Sequence, residues 1–223
     1  MILTIGGVKG GTGKTTIATN LAVYRSIQGK DVLLIDGDEQ KTSLYFTALR
    51  NEKKKGEAGY SCVRVTGGEQ MKVEATRMAS KFGDVIIDVG GWDNTSQRGA
   101  ILASDVALFP FQPRTFDAWT LGQVQNLVAE AKIYNSRLQA FTVLSRADVR
   151  GSDNEEAGSY LQQAENLKYL PRLICNRKSY SNAAKAGKGV VEIEREDPKA
   201  AAEIRALHDA IFHIAVSPTT PSR

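Results

Sequence analysis

The fold is decided by the stretch VKGGTGKTT, residues 8–16 of the chain. It follows an apolar run at Ile2–Ile5 and precedes a helical pattern that extends over residues 14–28. A glycine-rich loop between a buried strand and a helix lets backbone N–H groups turn inward around phosphate oxygens. The start of the helix adds a partial positive charge at the same place. The stretch therefore predicts a phosphate-binding loop in an α/β protein.

The loop supplies both a cation and a metal ligand. Lys14 can reach the β- and γ-phosphates of a nucleotide, and the Thr15 hydroxyl can take a position on Mg²⁺. Val8 replaces the first glycine of the strict G-x-x-x-x-G-K-[ST] pattern. The residues predicted to bind nucleotide in this loop are Lys9, Gly10, Gly11, Thr12, Gly13, Lys14, Thr15 and Thr16.

Short apolar runs alternate with helical patterns along the chain. After the first strand, the predicted strands are 32–35, 62–65, 85–87, 106–109 (ended by Pro110), 141–144 and 173–174, and the predicted helices are 14–28, 42–49, 69–81, 116–134, 155–169 and 198–214. This alternation predicts a doubly wound, mostly parallel sheet with helices on both faces. We expect one P-loop domain over residues 1–216 and a disordered tail over residues 217–223.

Acidic side chains follow two of the predicted strands. Asp36 and Asp38 come directly after the strand at 32–35, and Asp88 ends the strand at 85–87. In a parallel sheet, ligands bind at the carboxyl ends of the strands, which is also where the phosphate loop lies. Asp36 and Asp88 therefore join Thr15 as predicted Mg²⁺ ligands, with Asp88 acting through water.

These motifs resemble those of ParA/MinD-type ATPases, whose deviant Walker A motif carries an extra lysine at the position of Lys9. Residues 32–40 are similar to the second motif of that family, with Glu39 in place of the usual proline, and residues 84–91 resemble its Walker B motif. Residues 104–113 and 183–192 also resemble family stretches. The likeness covers nearly the whole chain in order, and it is strongest to the small ParA partition ATPases.

The resemblance implies an ATPase with a weak basal rate that uses ATP and Mg²⁺ and forms a homodimer with ATP. Lys9 would reach the phosphates of the other subunit, and Asp38 would orient the attacking water, so Lys9, Lys14 and Asp38 are the expected catalytic residues. A ParB-like adaptor protein would stimulate hydrolysis. Ser145 stands where the family often has an adenine-binding asparagine, which leaves Arg146 and Asn176 as the predicted base contacts.

Positive charge is concentrated near the C-terminus. The net charge is +4, yet residues 166–191 alone carry six basic side chains and no acidic ones. Together with the family resemblance, this distribution predicts non-specific DNA binding in the ATP dimer. The expected contacts are Arg172, Arg177, Lys178, Lys185 and Lys188. Since no helix-turn-helix or zinc-finger pattern occurs, base readout is not expected.

Several related classes of protein fit the sequence less well. Cys62 and Cys175 do not provide the paired cysteines of nitrogenase-iron-protein-like reductases. A MinD-like membrane helix is not expected, because residues 217–223 are polar and contain proline. We expect a cytoplasmic protein without membrane contact, bound to the nucleoid when it holds ATP. The cargo stays open between plasmid or chromosomal DNA and the cargo of a positioning or conjugation-associated ATPase.

Overall fold

A computed structural model describes residues 1–91, 95–114, 118–150 and 152–213. Its sheet has seven strands, all paired in parallel: β1 (Ile2–Ile5), β2 (Val32–Gly37), β3 (Ser61–Arg64), β4 (Asp84–Val89), β5 (Val106–Phe111), β6 (Gln139–Ala147) and β7 (Lys168–Cys175). Their order across the sheet is β3-β2-β4-β1-β5-β6-β7, which places β1 at the centre. The prediction of a doubly wound parallel sheet is confirmed.

Helices cover both faces of this sheet. They are α1 (Lys14–Ile27), α2 (Thr42–Lys53), α3 (Gly68–Ala79), α4 (Thr95–Ala103), α5 (Ala118–Tyr134), α6 (Asp153–Gln162), α7 (Lys178–Lys185) and α8 (Pro198–Phe212), with a 3₁₀ turn at Val190–Ile193. Side chains of α1 and α8 pack on one face, and side chains of α3 to α6 pack on the other. Strands enclosed in this way need no polar face, which is why the middle of β4, residues 85–87, is a continuous apolar run.

The register brings the carboxyl ends of the central strands together. Asp88 near the end of β4 lies opposite Ile5, the last residue of β1, and opposite Asp36 of β2. The phosphate loop leaves β1 at the same edge. The fold therefore gathers residues that are far apart in the sequence around one point, as the pattern of strand ends predicts.

The prediction that β5 ends at Pro110 is wrong, because the strand continues to Phe111. The amide of Gly6 donates to the carbonyl of Leu108, so the backbone of Leu108 faces β1. Backbone polar groups alternate in direction along a strand, and Pro110 therefore faces the same side as Leu108. Since β1 ends at Ile5, no ladder partner there needs the N–H that proline lacks.

The predicted helix at 155–169 is too long. α6 ends at Gln162, and Asn166 adopts a left-handed conformation with a φ of 62°, which a continuous helix does not allow. Lys168 and Tyr169 then begin β7, which is longer than the predicted strand at 173–174. Helices α4 and α7 are additions to the predicted elements. Residue 116, residue 214 and the tail at 217–223, which the predictions included, lie outside the described residues.

Candidate nucleotide site

The glycines of the phosphate loop are required by the backbone itself. Gly11 has a φ of 76° and Gly13 a φ of 90°, in the left-handed region that favours glycine. Gly13 also lies against β6, where a β-carbon would come within 2.6 Å of the Ser145 hydroxyl oxygen. Thr12 is buried within the loop, whereas Gly10 and Gly11 are exposed. The loop is thus open on the side where its amides would meet phosphate.

Lys14 is buried inside this loop at the first position of α1. Its side chain folds back, and its Nζ donates a hydrogen bond to the carbonyl of Lys9 at 2.9 Å. Burial lowers the pKa of Lys14, while the carboxylates of Asp88 and Asp38 act in the opposite direction. The ammonium is therefore already held at the centre of the loop, where it can exchange a carbonyl oxygen for phosphate oxygens.

Asp88 is completely buried beneath the loop. Its Oδ2 accepts a hydrogen bond from the Ser43 hydroxyl at 2.7 Å, and its Oδ1 has no hydrogen-bond partner among the described residues. Burial raises the pKa of Asp88 to about 7, although the hydroxyls of Ser43 and Thr15 act in the opposite direction. A buried carboxylate oxygen without a partner, close to the Thr15 hydroxyl, fits a hydrated Mg²⁺ ion.

Asp36 binds backbone amides on both of its carboxylate oxygens. Its Oδ1 accepts the amide of Asp38 at 3.0 Å, and its Oδ2 accepts the amide of Leu44 at 2.8 Å. Burial raises the pKa of Asp36, and these two amides act in the opposite direction. Both oxygens accept a backbone amide, and whether Asp36 also acts on a metal ion stays a prediction. Through these two amides, Asp36 fixes the loop after β2 and the first turn of α2.

Asp38 lies where a water-orienting carboxylate could act. Its Oδ1 accepts the amide of Gln40 at 3.0 Å, and its carboxyl carbon would lie 3.3 Å from a β-carbon at Gly90. A β-carbon at Gly91 would lie only 3.0 Å from the backbone nitrogen of Gly10. These two glycines let the loop after β4 approach both Asp38 and the phosphate loop. The water-orienting role of Asp38 stays a prediction.

A cleft of about 630 Å³ joins these parts. It is lined by Gly10, Gly11, Gly13, Lys14, Thr15, Thr16, Asp38, Glu39, Gln40, Thr42, Gly90, Gly91 and Arg146. Most of the predicted phosphate-loop residues are in this lining, together with Asp38. Lys9 is exposed on the outer side of the loop, and whether it acts across a dimer stays a prediction.

A second cavity, of about 540 Å³, adjoins the same loop on the side of β6 and β7. Thr15, Thr16 and Arg146 border both cavities. Asn176 also lines the second one, and its amide donates to the carbonyl of Ala147 at 2.8 Å. The structure therefore places Arg146 and Asn176 together beside the phosphate loop. Their contact with a base stays a prediction.

The predicted DNA contacts differ strongly in their surroundings. The guanidinium of Arg177 is bound to Glu203, with Nε and Nη2 each 2.7 Å from Oε1. Glu203 also accepts the Tyr180 hydroxyl at 3.0 Å and the Cys175 amide at 3.1 Å. Arg177 thus stabilises the turn between β7 and α7, and whether it also contacts DNA stays a prediction.

The remaining predicted contacts are exposed. Lys178, Lys185 and Lys188, here called the lysine group, form no ion pair with an acidic side chain in the described parts of the chain. Lys178 and Lys188 line the second cavity beside Thr16, whereas Lys185 does not. Arg172 is exposed on β7, at the edge of the sheet. These four side chains can meet an external anion.

Two residues of the site were missing from the sequence predictions. Ser43 orients Asp88, as described above, and Gln97 of α4 accepts the amide of Gly7 at 2.7 Å at the start of the phosphate loop. Both are buried polar side chains. No local pattern marks either residue, because each acts on a partner that is distant in the sequence.

None of the helices in the described parts of the chain is long and apolar enough to span a bilayer.

Residues 3–190 match the domain family described as CobQ/CobB/MinD/ParA nucleotide binding domain. Maintenance of carboxysome distribution protein A from Halothiobacillus neapolitanus (strain ATCC 23641 / c2) is 24% identical over 212 residues, which are 94% of this chain and 95% of that protein. The structure of a Cyanothece McdA–ATP complex is similar with a TM-score of 0.79 at 18% identity, covering 98% of this chain and 97% of that one. A plasmid partition protein from Borrelia burgdorferi gives a TM-score of 0.69 at 16% identity, covering 95% and 97%.

Proposed function

The chain belongs to the CobQ/CobB/MinD/ParA nucleotide-binding family of ATPases, and from that premise we propose that it is a DNA-binding switch driven by ATP. It binds ATP with Mg²⁺, dimerises, holds DNA without sequence preference, and releases it after hydrolysis. The observation that carries this proposal is the shared cavity beside the phosphate loop, which Thr16 and the exposed Lys178 and Lys188 line together. The basic surface therefore begins at the nucleotide site.

The chemistry needs charge neutralisation and a positioned water. Mg²⁺, when bound, neutralises charge on the phosphate oxygens. Asp88 and the Thr15 hydroxyl would hold the ion, and Ser43 keeps the Asp88 carboxylate in its orientation. Lys14 binds the phosphates through its buried ammonium. Asp38 orients the water that attacks, from the wall of the cleft facing the loop.

Replacing Asp38 by alanine should leave ATP binding intact and slow hydrolysis by about 100-fold or more, which is the usual contribution of a positioned proton acceptor. The matched control is Glu39→Ala, since Glu39 is exposed in the same cleft. Binding is measured with a fluorescent ATP analogue and hydrolysis by phosphate release. An Asp38→Ala protein that hydrolyses ATP at the wild-type rate would remove Asp38 from the mechanism.

The DNA-binding part of the proposal predicts a strong dependence on salt. Changing Arg172 and Lys185 together to glutamate removes two exposed cations per subunit and leaves the lining of the second cavity untouched. If both contact phosphates, the dimer loses four contacts, and the log–log salt slope should flatten by about 3.6. Binding to all sequences should weaken equally. Arg177 is left in place, because a glutamate there would face Glu203.

The control carries the same change of charge at another place. Lys72 and Lys81 are exposed on and just after α3, and their double change to glutamate should leave the salt slope as it is. The measurement is the electrophoretic mobility of random DNA mixed with each purified protein, with ATP, with ADP and without nucleotide. If the wild-type protein with ATP does not bind random DNA at low salt, the DNA part of the proposal is contradicted.

Two kinds of cargo suit such a switch. We propose segregation of plasmid or chromosomal DNA through a ParB-like adaptor, in line with the partition protein of similar fold. A protein cluster is the second candidate, which the likeness to a carboxysome distribution protein over nearly its full length favours. Deletion of the gene distinguishes the two candidate cargos. Loss of a replicon from dividing cells supports the first, and clumping of a protein body with the replicon retained supports the second.

A further inference from the structure

The chain directly after α7 is tied to the helix that begins in the phosphate loop. We call residues 186–193 the anchor segment. The amide of Val190 in this segment donates to the side-chain oxygen of Asn20 in α1 at 2.8 Å. The side-chain nitrogen of Asn20 donates in turn to the carbonyl of Thr16 at 2.8 Å. A chain of two hydrogen bonds therefore connects the anchor segment to Thr16 of the nucleotide site.

Arg50 of α2 holds the anchor segment from the other side. Its buried guanidinium makes a two-pronged ion pair with Glu192, at 2.6 and 3.1 Å, and donates to the carbonyl of Gly187 at 2.9 Å. Its Nε donates to the carbonyl of Ala58 at 2.7 Å. Glu192 also accepts the amide of Gly189 at 2.9 Å. Since guanidinium and carboxylate both bind backbone as well as each other, the pair fixes the path of the segment.

The opposite end of α2 lies against the acidic residues of the site. The amide of Leu44 donates to Asp36, and the Ser43 hydroxyl donates to Asp88. α2 has 12 residues and is about 18 Å long. A helix moves largely as a rigid body, so a shift of its first turn when a metal–nucleotide complex binds would also displace Arg50.

We propose that Arg50 and Glu192 are positioning residues that couple the occupant of the nucleotide site to the lysine group. The anchor segment caps the end of α7, because the left-handed Gly187 ends the helix while the amides of Gly187 and Lys188 donate to carbonyls of its last turn. A displacement of α2 is thereby passed through Glu192 to Lys185 and Lys188. The consequence for DNA rests on the proposed function, whereas the movement of the anchor segment does not.

The coupling is tested with two conservative changes. Arg50→Lys keeps the charge but cannot reproduce the planar set of donors, and Glu192→Gln keeps the shape but removes the charge. In each, the ratio of DNA affinity with ATP to that with ADP should fall at least about fivefold, while nucleotide affinity without DNA stays within roughly twofold of wild type. Lys54→Ala is the control, since exposed Lys54 binds Glu192 at 2.8 Å without touching the backbone of the segment. An unchanged ratio in both folded variants overturns the proposal.

A second measurement needs no variant. Hydrogen exchange of the wild-type protein should show greater protection of the amides of Gly189 and Val190 with ATP and Mg²⁺ than with ADP. Equal protection in the two states overturns the coupling, even if the substituted proteins fail to fold. If the wild-type protein does not bind DNA at all, the proposed function fails, and the exchange result still decides whether the segment responds to nucleotide.

Discussion

Replacing Lys14 by alanine should abolish ATP binding, with a loss of affinity of at least about 100-fold. The ammonium of Lys14 is already buried in the phosphate loop, where it is bound only to the carbonyl of Lys9 among the described contacts. The ammonium therefore loses only this one hydrogen bond when it binds a phosphate oxygen instead. Removing it deletes the buried cation that the protein itself places between the triphosphate and Asp88.

The experiment compares ATP affinity and folding in the same samples. Thermal unfolding should show that Lys14→Ala remains folded, because Lys14 is a residue of the phosphate loop and not one of the apolar side chains that form the main core. The control is Lys30→Ala, an exposed lysine just beyond the far end of α1. A folded Lys14→Ala protein that binds ATP with wild-type affinity would show that the phosphate site has been placed wrongly.

The second large effect concerns the dimer. With ATP and Mg²⁺, the Asp38→Ala protein should sediment as a dimer, and with ADP mostly as a monomer. Adding Lys9→Ala should remove the dimer while monomeric nucleotide binding persists. The physical reason is that Lys9 is exposed on the outer side of the loop, next to two exposed glycines that let a second subunit approach. A cation provided across the interface makes ATP part of that interface.

Sedimentation velocity over a range of protein concentrations measures this effect. Lys30→Ala in the Asp38→Ala background is the matched control, and it should dimerise normally. If the dimer forms equally with ADP and also persists without Lys9, the protein would be an ordinary P-loop enzyme rather than a nucleotide switch.

The sequence was sufficient wherever the chemistry lies in consecutive residues. The phosphate loop, the parallel sheet and the acidic strand ends all follow from local composition and periodicity, since each motif is contiguous. Asp36 shows the limit of this approach. A carboxylate at a strand end looks the same in the sequence whether or not it binds backbone, and only the structure shows that the amides of Asp38 and Leu44 donate to Asp36.

Other differences arise from partners that are distant in the sequence. Arg177 belongs to a basic run, but Glu203, 26 residues later, folds back to bind it. Proline ends most strands, yet β5 continues through Pro110. It can do so because β1 ends at Ile5, so no strand needs the N–H that Pro110 lacks. The sequence marks Ser43 only as a residue near a helix start, and the fold then places Asp88 beside its hydroxyl. Charge and periodicity identify types of environment, and tertiary neighbours then assign individual roles.

The central place of β1 also affects how the chain can be made. Ile2 pairs with Val85 and Leu3 with Val106, so during synthesis β1 waits for β4 and β5, which are made later, before its two edges are covered. Pairings between such distant residues are slow to form during folding. The phosphate loop follows β1 directly, so it cannot take its final conformation before β1 has paired with β4 and β5. ATP therefore has no site on the early nascent chain, and it can stabilise only a domain whose synthesis has passed β5.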